Sequence, residues 1–116
     1  MPSNRPAQRF QDIIDAADEI ENFIIGITSF ADFMNDRRTV RAAERCLLII
    51  SEAAKKLDDA GSALCPEQPW ADIRGIGNHL RHEYDQIHES LIWKTISIDI
   101  PPLKQACQSA LQRIDP

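Results

Sequence analysis

No stretch of this 116-residue chain approaches the roughly 18 consecutive apolar residues that a membrane span requires, which removes membrane-embedded classes and predicts no membrane partner. The N-terminus has no basic start followed by an apolar run, so no secretory leader is expected. Alternation of period two never persists beyond a few residues, so no strand is predicted. There is no internal repeat and no low-complexity tract. The cysteines, Cys46, Cys65 and Cys107, have no paired spacing. They fit neither a zinc site nor a disulfide frame, and read as reduced, buried thiols of a cytoplasmic protein. Cations are outnumbered, 13 Lys and Arg against 18 Asp and Glu, for a net charge of −5. That argues against bulk electrostatic binding of nucleic acid and leaves room only for a local basic groove around Arg74, Arg81 and the histidines.

What is present is helical periodicity. The length fits one domain over residues 1–116, small enough to be completed by a dimer partner. Residues 1–6 are polar, with two prolines, and read as a loose start. Phe10, Ile13, Ile14, Ala17, Ile20 and Ile24 recur at threes and fours, predicting a helix from about Ala7 to Gly26. A second helix is expected from Ser29 or Asp32 to about Asp58. Val40, Ala43, Leu47, Ile50, Ala54 and Leu57 form a narrow seam along it, with Glu52 either solvated or turned toward a polar site in the core. A loop is expected to run to Pro69, which suits the first turn of a third helix reaching Arg81 or Glu83. A fourth helix is predicted over 89–98. The Asp99-Ile100-Pro101-Pro102 run should then break the chain before a fifth, ending near Arg113. The fold class is all-α: an up-and-down bundle of four or five helices, the first two forming a long antiparallel hairpin.

Residues 75–88 hold every histidine, His79, His82 and His88, and the single tyrosine, Tyr84. Histidine is the side chain best suited to move protons near neutral pH. On a helix, Arg74, Asn78 and His82 fall at i, i+4 and i+8, drifting about 40° per step, while Arg81 leans about 100° away from His82. Gly75 and Gly77 lie within the same helix at a propensity cost of about 1 kcal/mol each against alanine, which points to close packing or a kink.

Three kinds of chemistry fit these residues. His79 and His82 with Asp85 or His88 have a permissive but nonspecific metal-ligand spacing. Alternatively, His82 acts as general acid–base on a phosphodiester. It takes a proton from a ribose 2′-hydroxyl or gives one to the leaving oxygen, while an arginine holds the phosphate and Asn78 orients either group. This needs no metal or cofactor. The third reading is a helix terminus whose polar groups bond within the core or a dimer contact.

At these residues the chain resembles the HEPN superfamily, and within it the HepT-like toxins, whose signature is Arg, four to six residues, His, any residue, Tyr. Pro69-Trp70-Ala71-Asp72-Ile73, Gly75-Ile76, Asn78, Leu80, His82, Tyr84, Trp93 and Pro101-Pro102-Leu103 stand where that family places such residues. Glu52-Ala53-Ala54-Lys55-Lys56-Leu57 is similar too, so the resemblance covers about residues 8–113. It implies a helical bundle that forms a homodimer and a composite, metal-independent endoribonuclease site at the dimer interface. It also implies pairing with an MNT-type minimal nucleotidyltransferase as antitoxin, which transfers AMP to the motif tyrosine. Carried over, His82 is the catalytic histidine and Tyr84 the AMP acceptor. The chain departs from the pattern at one position: the family's arginine directly precedes the asparagine, and here Gly77 stands before Asn78. Arg74 and Arg81 are the candidate replacements. The alternative is a weakened or inactive HEPN module that binds nucleotide or RNA, or docks a nucleotidyltransferase.

Overall fold

The computed structural model describes residues 5–82 and 86–114, with only the backbone of residues 82 and 86–88. All regular structure among them is helical: α1 (Pro6–Phe23), α2 (Phe30–Met34), α3 (Arg37–Leu57), α4 (Asp59–Leu64), α5 (Trp70–His82), α6 (Gln86–Lys94), a π turn (Thr95–Asp99) and α7 (Ile100–Ile114).

Helix α3 lies at the centre, with α1 packed along one flank and α5 along the other, and α7 lies against α1. The apolar stripes predicted for α1 and α3 are the ones that meet: Phe10, Ile13, Ala17 and Ile20 are fully buried, as are Val40, Ala43, Leu47 and Ile50. Burying a side chain of this size stabilises by about 1.5–3 kcal/mol. Lys104 of α7 reaches Asp18 and Glu21 of α1, both at 2.6 Å, and fixes how that pair lies together.

The long second helix of the sequence reading is two helices. Asn35 and Asp36 interrupt it, because the Asp36 carboxylate caps a new start by accepting from the Thr39 amide at 3.1 Å and the Thr39 hydroxyl at 2.7 Å. Those bonds hold the Asp36 carboxyl below its usual range. Ser29 caps α2 in the same way, through the Asp32 amide. The first helix stops at Phe23, ahead of the left-handed Gly26. Asp58 ends α3, and the expected loop after it contains α4. Glu52 is solvated and pairs with Lys55. Pro69 precedes the first turn of α5, and its carbonyl accepts from the Ile73 amide.

The chain does not break at Pro101 and Pro102. The Ile100 amide bonds back to Thr95, five residues earlier, and this widened turn carries the helix into α7 with the two prolines in its first turn.

Candidate functional site

Helix α5 carries the motif, and the bundle fixes it at three points. At its start, Trp70 is buried and its indole N–H donates to the Cys65 carbonyl at 2.8 Å. The ring lies on Gly61, where a Cβ would come within 2.9 Å of it, so α4 approaches closely only because residue 61 is glycine. In the middle, the fully buried Ser51 of α3 donates its hydroxyl to the Arg74 carbonyl at 2.8 Å and accepts from the Gly77 amide at 3.2 Å. Beyond the motif, α6 is held by an ion pair between Arg37 and Glu89 and by the Phe33 ring against Trp93, with centroids 5.1 Å apart. Ser51 and Arg37 both belong to α3, so one rigid helix positions the chain on either side of residues 83–85.

The two glycines differ. Gly77 is buried against α3: a Cβ there would lie 3.2 Å from Ser51 Oγ, 3.6 Å from Leu48 Cδ2 and 3.7 Å from Arg81 Nη2. Close packing explains it. A Cβ on Gly75 would meet nothing within 4 Å, so packing within the protomer does not explain that glycine. Gly75 instead borders a groove of about 440 Å³ between α5 and the α6–π–α7 segment, lined also by Ile76, His79, Leu91 and Thr95.

The remaining candidates fall as follows. Arg74 is half-buried and Asn78 exposed, one turn apart on α5. Arg81 is exposed, and its guanidinium turns back toward the start of the helix to lie beside Gly77, the direction helical side chains favour. From the sequence, Arg81 points away from His82; the structure adds that its charge sits on the α3 side, one turn before the helix end. His82 is the last residue of α5. Tyr84, Asp85 and the side chains of His82 and His88 lie outside the described residues, and with them most of the metal-ligand set considered above. His79 is exposed on the groove.

Thiol chemistry does not compete for this site. Burial pushes Cys107 up to about 12, and burial with the hydrogen bond that its thiol donates to Glu19 pushes Cys46 to about 11. Burial also raises Cys65. All three therefore stay protonated near neutral pH and are poor nucleophiles. Sequence reasoning missed Ser51 and Arg37. Ser51 was recognisable only as a hydroxyl inside an otherwise apolar seam.

The described helices form an all-α bundle in which α5, packed on α3, ends at His82, and the sequence carries the His82-x-Tyr84 motif of the HEPN class there. Within it, the sequence model described as "Ribonuclease HepT-like" matches residues 13–110, and the chain belongs to that family. It is 38% identical over 94 residues, 81% of this chain and 84% of the relative, to "Probable ribonuclease HepT" of Thermococcus cleftensis. A protein of Caldanaerobacter subterraneus, provisionally named an RNase, is 38% identical over 85 residues, 73% of this chain and 76% of its own. Another of that provisional name, from Methanocaldococcus jannaschii, is 27% identical over 115 residues, 99% of this chain and 94% of its own. No solved structure matches the chain significantly.

Proposed function

We propose that this protein is the toxin of a toxin–antitoxin pair, an endoribonuclease that needs no metal and works through His82 in a site shared by two protomers. The observation that carries the proposal is the family match across residues 13–110, which includes the His82-x-Tyr84 motif. In the reaction, the ribose 2′-oxygen attacks the adjacent phosphorus and the bond to the 5′-oxygen breaks. His82 of one protomer accepts the 2′-hydroxyl proton, and His82 of the other gives a proton to the departing 5′-oxygen. An arginine offsets the charge that builds on the phosphoryl oxygens. The position of its guanidinium beside Gly77 favours Arg81 for this role; Arg74 and Asn78 would orient the phosphate from the preceding turn. Neutralisation follows when an MNT-type nucleotidyltransferase joins the Tyr84 oxygen to the α-phosphorus of ATP and releases pyrophosphate. The adduct places a bulky anion where the RNA phosphate must bind.

The test is cleavage of a defined RNA by purified protein in EDTA, beside His82→Ala. We expect a 2′,3′-cyclic phosphate and a 5′-hydroxyl from the wild type and no cleavage from the variant. Cleavage that survives in His82→Ala, or that stops with EDTA, overturns the mechanism. Gly77 supports a second reading, a module that binds RNA or the transferase without cutting; it predicts RNA binding by the wild type with no products.

A further inference from the structure

Charge in this chain is sorted by helix. Residues 37–57, which form α3, carry six cations, Arg37, Arg38, Arg41, Arg45, Lys55 and Lys56, against Glu44 and Glu52. Residues 6–23, which form α1, carry Arg9 against five carboxylates. A protein of net charge −5 therefore has one strongly cationic helix at its centre. The macrodipole accounts for Lys55 and Lys56 in the last turn of α3 but not for Arg37 and Arg38, which occupy the first turn, where it disfavours cations.

Arg38, Arg41 and Arg45 stand three and four residues apart, so they line one stripe, and all three are exposed. Arg41 pairs with Glu44, whereas Arg38 and Arg45 make no ion pair with a described residue. The stripe is placed against the motif by the packing. The start of α5 lies on α4, at the C-terminal end of α3, through Trp70 and Gly61. The start of α6 lies at the N-terminal end of α3, through Arg37 and Glu89. Helix α5 thus runs antiparallel to α3, with Gly77 opposite Ser51. His82 is five residues further along, about 7.5 Å, so the end of α5 comes level with Arg45. The Arg81 guanidinium lies close to Gly77, on the α3 side of α5.

We propose that the exposed arginine stripe of α3, Arg38, Arg41 and Arg45, is a track for the RNA backbone that delivers the strand to the C-terminal end of α5. The proposal rests on the ribonuclease reading above and extends it to the substrate path. Guanidinium groups at helical spacing suit a flexible row of phosphates, and such contacts give affinity without base preference. They would raise the local concentration of RNA and leave the bond-breaking step alone.

The experiment uses the full chain and two probes: a fully 2′-O-methylated RNA oligonucleotide, which cannot be cut, and the same sequence unmodified. Kd for the first is measured across a range of salt, and KM and kcat for the second. Arg38→Gln with Arg45→Gln should weaken binding at low salt about tenfold. It should also lower the slope of log Kd against log salt by about 1.4, since each lost contact to a single strand accounts for about 0.7. KM should rise with kcat unchanged, and Arg38→Lys with Arg45→Lys should keep the wild-type slope. An unchanged slope in the glutamine variant, or no salt-dependent binding by the wild type, overturns the track. An unchanged slope together with lost capture of an acidic protein partner would also overturn it, assigning the stripe to protein instead. The two readings fail separately. A slope that falls as expected, with no cleavage of unmodified RNA, sinks the nuclease and keeps the track. Normal cleavage with an unchanged slope does the reverse.

Discussion

The hydroxyl of Ser51 stands between α3 and α5, donating to the Arg74 carbonyl at 2.8 Å and accepting from the Gly77 amide at 3.2 Å. Residue 77, where the resemblance to HepT-like toxins would place the motif arginine, therefore faces a packed helix in this protein. Gly77→Arg alone should destabilise the fold by about 1–3 kcal/mol, the usual cost of overpacking, and should not raise cleavage. Gly77→Arg combined with Ser51→Ala removes the obstructing oxygen and should recover part of that loss. A urea-unfolding cycle over the two single variants and the double one measures the coupling, and additive effects would show that the two residues do not share the contact.

The paired glycines give opposite expectations. Gly75→Ala adds a methyl group that meets nothing and gains helix propensity, so it should stabilise by about 0.5–1 kcal/mol. Gly77→Ala places the same methyl 3.2 Å from Ser51 Oγ and should fail to show that gain. Thermal melts of the two variants beside wild type settle the contrast.

Gly61→Ala should be the more damaging alanine, because the new methyl meets the Trp70 ring at 2.9 Å and the ring is fixed by its bond to the Cys65 carbonyl. A loss of about 1–3 kcal/mol is expected, with a change in tryptophan emission. Unchanged stability would mean that α4 can move away from α5 at no cost.

Tyr84→Phe keeps the ring and removes the oxygen that would accept AMP. It should cleave RNA at the wild-type rate and stay active after incubation with an MNT-type nucleotidyltransferase and ATP. Intact mass is the readout, and an AMP adduct on the phenylalanine variant would place the modification elsewhere.

Alkaline pH should weaken the fold through the thiols. Cys46 and Cys107 titrate at about 11 and about 12 in the folded chain, against 9.0 as the ordinary value. The folded state then holds more protons than the unfolded one above about pH 9. The stabilising contribution is whole below that point and is lost as pH rises through the folded values. Cys107→Ala should flatten the decline in urea midpoint between pH 9 and 11 relative to wild type. An equally steep decline in the variant would assign it to other groups.

Much of the scaffold was legible because periodicity reports burial directly: the seam from Val40 to Leu57 is the central helix, and Phe10 to Ile20 is the stripe that covers it. Punctuation was read less well. The break at Asn35–Asp36 depends on a capping bond to Thr39, which competes with a pattern that otherwise continues. Pro101 and Pro102 signal a stop to any local reading, and only the π turn before them shows why the helix proceeds. The motif was visible as a cluster of rare residue types. Its support was not, since Ser51 lies 26 residues from Gly77 along the chain and nothing local to either residue reports the other.

The Ser51–Gly77 contact also bears on how the sequence can change over generations. A single change to arginine at residue 77 comes at a cost in stability, because the first carbon of the new side chain would lie 3.2 Å from Ser51 Oγ and 3.6 Å from Leu48 Cδ2. That cost falls if residue 51 yields first, at the expense of the bonds that pin α5. The glycine is thus entrenched by a neighbour on another helix, and a cation is more readily carried at position 81, whose side chain reaches the same spot from the following turn.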